Sequence, residues 1–113
     1  MRIEYHKLVR DHIPEMIRRD GSTCEVVTMT EEEYRQALRE KLIEEACEAA
    51  GADSDHLVIE LADLAEVLDA LMASYGIVSA AVQAEQERRR IERGGFARRI
   101  RLLWTERAET QSD

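Results

Sequence analysis

The strongest constraint on the fold is a pair of long helical segments joined by a very short connection. Thr30-Glu31-Glu32-Glu33 has the pattern of a capping box, in which the threonine oxygen and the third-position glutamate satisfy free amides at a helix start. The pattern predicts a helix from there to about Ala50, which Gly51 ends. Residues 53–55, Asp-Ser-Asp, offer a second N-cap for a helix that runs to Tyr75. Because the connection is short, we expect the two helices to be antiparallel neighbours.

Two shorter helices are expected on either side of this pair. Asp11 is a candidate N-cap and Pro14 suits a first helical turn, so a short helix should run to about Arg19. A fourth helix is expected from about Val78 to Arg93, where a pair of glycines follows. The chain has only 5 glycines and 1 proline, which is few for a fold with many turns. An all-α fold is therefore predicted.

Two further stretches predict short strands. Residues 24–29 contain β-branched side chains, and residues 99–105 alternate in polarity. The two strands could pair and lie against the helices, since two short strands are marginal alone. We therefore expect an antiparallel helical bundle of about four helices with two short strands. Residues 1–107 should form one domain, followed by a polar tail over residues 108–113.

The charge of the chain is unevenly distributed. The net charge is −8, and residues 31–69 carry 13 acidic and 3 basic side chains. This acidic middle argues against nucleic acid as the main partner. Residues 85–107 are basic instead, with 8 basic and 4 acidic side chains. An acidic region beside a basic one could hold cations and phosphates together, although two solvated helix faces would have the same composition.

Targeting and redox signals indicate a cytoplasmic protein. No apolar run approaches the roughly 20 residues that a membrane span needs. Met1 is followed by the charged residues Arg2 and Glu4, and the apolar stretch of a signal peptide does not follow them. Cys24 and Cys47 are too few and too far apart to predict a zinc site or a disulfide framework. We therefore expect a reduced, cytoplasmic chain with no membrane partner.

The first long helix places a glutamate where an apolar residue is expected. At about 100° per residue, one stripe of this helix contains four residues suited to a core: Tyr34, Leu38, Leu42 and Ala49. Glu45 falls in the middle of that stripe, Glu48 at its edge and Glu44 further out. A glutamate that points inward is costly unless it is paired or binds a metal.

The second long helix has the same anomaly. Its predicted core stripe consists of Leu57, Leu61, Leu64, Leu68, Leu71, Met72 and Tyr75. Glu60 lies beside this stripe and Asp63 one turn further on, whereas Glu66 and Asp69 project away from it. Each helix therefore presents an acidic pair three residues apart, close to the turn that joins the helices. The two pairs can face each other.

Four carboxylates that converge without a lysine among them would repel one another. A hard cation resolves the repulsion, and Mg²⁺ prefers oxygen ligands and keeps waters for exchange. Bundle proteins build such sites from side chains on facing helices. A di-iron site would need Glu-x-x-His, and no histidine follows these acids at that spacing. The residues alone leave two interpretations open, a metal site and four solvated acids.

Three segments in order resemble a known family. Glu44-Glu45-x-x-Glu48 followed by Glu60-x-x-Asp63 is similar to the signature of the all-α nucleoside triphosphate pyrophosphatases, the MazG-like superfamily. Residues 5–15, YHKLVRDHIPE, and 93–100, RGGFARRI, resemble a small single-domain branch described as house-cleaning pyrophosphatases, related to phosphoribosyl-ATP pyrophosphohydrolase. The resemblance spans about residues 5–104. The branch more often has a lysine at the position of His12.

The resemblance implies hydrolysis of a nucleoside triphosphate, of a non-standard kind, to the monophosphate and pyrophosphate. Glu45, Glu48, Glu60 and Asp63 would be ligands of Mg²⁺, which Mn²⁺ could replace. Glu44 and Glu45 are the candidate catalytic residues, with Glu44 orienting water. The candidate phosphate contacts are Lys7, Arg10, Arg98 and Arg99.

Two further functional expectations concern assembly and turnover. The resemblance implies a homodimer or a higher homo-oligomer, and the apolar start of the fourth helix (Ile77, Val78, Ala81 and Val82) is a candidate contact surface. A nucleotide-binding or regulatory helical dimer with little turnover is the alternative to the enzyme. A purely structural dimer is disfavoured, because it would place leucine or alanine at position 45.

Overall fold

The computed structural model describes residues 1–108 and is all-helical over that range. Its four helices are α1 (Ile13–Arg19), α2 (Glu31–Gly51), α3 (Leu57–Ser74) and α4 (Ser79–Arg93). The prediction of an all-α chain with four helices is confirmed. The described residues fall into two compact units, Met1–Ser79 and a second that begins at Ala80.

The start of α2 is fixed by the predicted capping box. The backbone N–H of Glu33 donates to Oγ1 of Thr30 over 3.2 Å, and the backbone N–H of Thr30 donates to Oε1 of Glu33 over 2.9 Å. Both orphan amides are therefore satisfied within one turn. The hydrogen bonds from Thr30 lower the pKa of the Glu33 carboxyl below its ordinary value.

The starts of α1 and α3 differ from the predicted caps. His12, not Asp11, is the N-cap of α1, and its side chain makes no capping hydrogen bond. The second residue of this helix is Pro14, which has no N–H, so one donor fewer needs a partner. His56 is the N-cap of α3, and Asp53 instead accepts the backbone N–H of His56 over 3.0 Å in the turn before the helix.

Helices α2 and α3 pack against each other as the expected antiparallel hairpin and contain the buried core. Leu38 of α2 and Val67 of α3 are its two buried side chains within the described chain. At the far end of the hairpin, Nε of Arg35 donates to the carbonyl oxygen of Ser74 over 3.0 Å. The same guanidinium lies 4.4 Å from the centre of the Tyr75 ring. A cation at the C-terminus of α3 complements the helix dipole there.

The inward face of α3 is rotated from the predicted stripe. Leu61 and Leu68 were expected in the core, but they are 48% and 42% exposed, whereas Val67 is buried. Apolar residues cover two adjoining faces of α3, so periodicity alone does not choose between them. Glu60 lies on the same face of α3 as Val67, so this face turns Glu60 toward α2.

The two predicted strands are absent from residues 1–108, so this part of the fold prediction is wrong. Residues 24–29 lie in an irregular segment with no ladder partner in the described chain, and strands this short need one. Arg99 has a φ of 57°, and its backbone N–H donates to the carbonyl oxygen of Phe96 over 3.0 Å. This turn interrupts the extended conformation that residues 99–105 would need.

The second unit contains most of α4, which is stabilised by its own side chains. Arg88 bonds to Glu85 and Glu92, and Arg90 to Glu87, all at i,i+3 or i,i+4 spacing. Within residues 1–108, none of the helices has the length and apolar character needed to cross a membrane. The single-domain assignment for residues 1–107 stays a prediction, and the predicted tail lies outside the described residues from position 109 onward.

Candidate metal centre

Three of the four predicted ligands converge beside the turn between α2 and α3. Carboxylate oxygens of Glu45, Glu60 and Asp63 all lie within 4.8 Å of one another. Two oxygens on opposite sides of a Mg²⁺ ion are about 4.2 Å apart, since each Mg–O distance is about 2.1 Å. Small side-chain adjustments would therefore bring the three oxygens to a shared hard cation.

The three carboxylates differ in how far they are buried. The side chain of Glu45 is only 13% exposed, as expected for a residue in the middle of the apolar stripe of α2. Asp63 is 37% exposed and Glu60 is half-buried. The cluster is therefore shielded on the side of α2 and accessible on the side of α3, which leaves an approach for a ligand.

The surroundings of the cluster shift the pKa of Glu60. Partial removal from water raises the pKa of its carboxyl above its ordinary value, and the negative charges of Glu48, Asp63 and Glu45 raise it further. The nearby His56 opposes the shift. Both causes disfavour the ionised form, and a bound cation would oppose them by favouring the negative charge.

Glu48 is the predicted ligand that the structure leaves outside the converging group. Its side chain is exposed, although its charge is the second largest cause of the raised pKa of Glu60. Glu48 therefore lies near the cluster, at its solvent side. Glu66 and Asp69 are exposed, as predicted from their helical positions.

Two predicted phosphate-binding residues reach the same place from the N-terminal segment. Nη2 of Arg10 donates to Oδ1 of Asp63 over 2.8 Å, and Nζ of Lys7 donates to Oε1 of Glu44 over 3.3 Å. These residues lie 53 and 37 positions apart in the chain. Because both pairs are substantially exposed, they stabilise the fold little but place two cations beside the acids.

Lys41 is a functional candidate that the sequence patterns did not reveal. Its ammonium lies 3.8 Å from Oε1 of Glu44 and 3.8 Å from Oε1 of Glu45, and its side chain is 19% exposed. The expectation that no lysine lies among the carboxylates is therefore wrong. The signal was present in the sequence, because residues three and four apart on a helix are neighbours.

The two remaining phosphate candidates belong to the second unit. Arg98 and Arg99 are exposed, and Arg99 occupies the turn that follows Phe96. Their assignment to phosphate binding stays a prediction.

An open cavity of about 800 Å³ lies at the other end of the hairpin from the acidic cluster. It is lined by Thr30, Glu31, Glu32, Arg35, Gln36, Arg39 and Tyr75. Arg35 and Arg39 already engage Tyr75 and Ser74 there. Glu45, Glu60 and Asp63 do not line this cavity, so we place the candidate site at the acidic cluster.

Comparison with known proteins gives one partial relationship. The chain is similar to an uncharacterised protein of Mycolicibacterium smegmatis, with 44% identity over 54 residues. The match covers 48% of this chain and 55% of the relative, so it spans about half the length of each protein. No family model and no solved structure matches the chain.

Proposed function

We propose that the chain is a Mg²⁺-dependent nucleoside triphosphate pyrophosphohydrolase of the MazG-like kind. It would convert a nucleoside triphosphate, of a non-standard kind, and water to the monophosphate and pyrophosphate. The observation that carries the proposal is the convergence of Glu45, Glu60 and Asp63, with Arg10 beside them. Carboxylates that bind a hard cation beside bases that bind phosphate are the two requirements of such chemistry.

The donor set fits Mg²⁺, and Mn²⁺ could replace it. All three converging side chains offer hard oxygen donors, and no described histidine or cysteine belongs to the group. Bound by these residues, Mg²⁺ would neutralise polyphosphate charge and make a nearby water more acidic. Glu48 lies close enough to contribute through its charge, as a ligand or through a water.

The remaining polar residues can be given roles toward the substrate. Arg10 and Lys7 would exchange their carboxylate partners for phosphate oxygens, which suits the forked geometry of arginine in particular. Glu44, held beside the cluster by Lys7, would orient the attacking water and accept its proton. Arg98 and Arg99 are proposed as further phosphate contacts.

We also propose that the protein acts as a homodimer or a larger homo-oligomer. The single chain leaves apolar side chains exposed on α3 (Leu57, Leu61 and Leu68), in the segment before α4 (Ile77 and Val78) and on α4 itself (Val82). The three leucines lie on one face of α3, and an exposed apolar helix face is typical of protein interfaces. A second copy of the chain would cover these residues.

A panel of nucleoside triphosphates with Mg²⁺ tests the proposed activity. We expect pyrophosphate and a nucleoside monophosphate from at least one member, and no turnover when the metal is removed by a chelator. Separation of the products by ion-exchange chromatography identifies the bond that is cleaved. Orthophosphate and a diphosphate as the products would contradict the assignment.

One observation favours the alternative of a nucleotide-binding regulatory dimer. Lys7, Arg10 and Lys41 pair with three of the acids, Glu44, Asp63 and Glu45. A site that is neutralised in this way could bind a nucleotide without turning it over. Saturable triphosphate binding with no product after prolonged incubation over the whole panel would favour this function over the enzyme.

A further inference from the structure

Lys41 occupies an unusual position for a lysine. Its side chain is 19% exposed, and the neighbouring carboxylate of Glu45 is 13% exposed, so both charges are largely withdrawn from solvent. A carboxylate shielded to this degree needs a partner, because its ionised form is otherwise costly. The ammonium of Lys41 is that partner.

The same carboxylate belongs to the converging group. An oxygen of Glu45 lies within 4.8 Å of oxygens of Glu60 and Asp63, and Oε1 of Glu45 lies 3.8 Å from Nζ of Lys41. A divalent cation among the three carboxylates would therefore lie within a few ångströms of a positive charge. Two cations at that separation repel each other strongly where water is partly excluded.

We infer that Lys41 is the internal counter-ion of the acidic cluster and competes with a divalent cation for Glu45. This inference rests on the proposed function, since it concerns the same site. Lys41 neutralises Glu45 and keeps it correctly placed, and it lowers the affinity of the cluster for free divalent cations. It is a positioning residue, because it acts through Glu45.

The two other basic residues, Arg10 and Lys7, determine which form of the cation the cluster favours. Arg10 holds Asp63 and Lys7 holds Glu44, and both side chains come from a segment of irregular structure. A polyphosphate can draw these two bases away from their carboxylates, because phosphate oxygens are strong acceptors for them. The cluster therefore favours a cation that arrives together with a polyphosphate over a free one.

Titration with Mn²⁺, followed by electron paramagnetic resonance of the free ion, tests this inference without any turnover. We expect Lys41→Met to bind Mn²⁺ about five- to tenfold more tightly than the wild type, the scale for removing one partly shielded charge. Lys41→Arg keeps the charge and should behave like the wild type. Arg39→Gln is the matched control, because it removes one positive charge from the same helix at the Tyr75 end.

Adding a triphosphate analogue with a methylene bridge between the α and β phosphorus atoms provides the second arm. The wild type should then bind Mn²⁺ more tightly than without the analogue, because the analogue engages Lys7 and Arg10 and adds phosphate oxygens as ligands. Lys41→Gln, measured in the same way, replaces Lys41→Met if the latter does not fold.

Different results would contradict the counter-ion inference and the proposed metal site. If Lys41→Met or Lys41→Gln binds Mn²⁺ no more tightly than the wild type, while Glu60→Gln abolishes binding, the counter-ion inference is overturned and the metal site stands. An equal gain in Arg39→Gln would also overturn it, because the effect would then be one of overall charge. If neither the wild type nor any variant binds Mn²⁺, with or without the analogue, the inference and the proposed metal site both fail.

Discussion

Arg10 donates a hydrogen bond from Nη2 to Oδ1 of Asp63 over 2.8 Å, which ties the N-terminal segment to the third helix at the acidic cluster. The contact joins a predicted phosphate-binding residue to a predicted metal ligand. It gives the N-terminal segment a defined place beside the acids, although that segment has no regular secondary structure before α1.

The first prediction concerns this contact. Arg10→Gln should raise the KM for the triphosphate about tenfold or more and change kcat less, because a hydrogen bond to a charged group contributes about 1.5–3 kcal/mol. Steady-state kinetics on the preferred substrate measure both constants. Arg18→Gln removes the same charge from the last turn of α1 and should leave KM within about twofold, the size of a typical surface effect. An unchanged KM in Arg10→Gln would contradict the assignment of this residue to phosphate.

The second prediction concerns the converging carboxylates. Glu45→Gln and Asp63→Asn should each reduce the rate of pyrophosphate release at least about 100-fold, the scale for losing a ligand charge or a transition-state contact. Glu66→Gln, on an exposed part of α3, should stay within a few-fold of the wild type. If Glu66→Gln were as damaging as Glu45→Gln, the assignment of helix faces would be wrong.

The third prediction is a pH dependence of stability without metal. The pKa of Glu60 is raised in the folded chain, so the folded state holds this proton more tightly than the unfolded state. The stability contributed by the protonated form is complete below about pH 4.5 and is lost as pH rises through the folded pKa. Glutamine does not ionise, so Glu60→Gln does not lose stability in this way as pH rises.

Melting temperatures between pH 4 and 7 in the presence of a chelator measure the effect. The difference between Glu60→Gln and the wild type should grow in favour of the variant as pH rises. Groups with a lowered pKa, such as Asp53 and Glu85, act in the opposite direction but are common to both proteins. A difference that does not depend on pH would contradict the electrostatic account of Glu60.

The fourth prediction concerns assembly. Leu61→Asp places a charge on the uncovered apolar face of α3 and should convert an oligomer into monomers, because a buried unpaired charge at an interface is costly. Light scattering coupled to size-exclusion chromatography measures the mass. Val27→Asp, at an exposed position in the irregular segment before α2, is the control and should leave the mass unchanged. Equal masses for Leu61→Asp and the wild type would exclude this face as the interface.

Sequence patterns predict the elements that depend on local chemistry. The capping box at Thr30 marks where α2 begins, and the stripe through Tyr34, Leu38 and Leu42 marks the face that turns inward. The spacing of the apolar residues along α2 is therefore enough to place Glu45 on the shielded face of this helix. The same kind of period places Glu66 on the exposed side of α3.

The features that sequence patterns missed depend on tertiary contacts. The rotation of α3 about its axis follows from packing against α2, since two adjoining faces of α3 are apolar. The path of the residues around Arg10 has no period, so their contact with Asp63, 53 positions away, could not be derived from spacing. Lys41 is the exception, because its contact with Glu45 is local to α2: the spacing of four residues allowed this contact, but the long, flexible lysine side chain did not require it.

The central claim is that Glu45, Glu60 and Asp63 together bind a divalent cation. Scanning fluorimetry of the wild type, Glu60→Gln and Glu66→Gln, each with and without Mg²⁺, tests this claim most directly. At a metal concentration ten times the dissociation constant, binding stabilises the folded state by about 1.4 kcal/mol. We predict that Mg²⁺ raises the melting temperature of the wild type and of Glu66→Gln by several degrees. Glu60→Gln should melt higher than the wild type without metal and lose most of the Mg²⁺ response, whereas a lower melting temperature without metal together with a full Mg²⁺ response would contradict the claim.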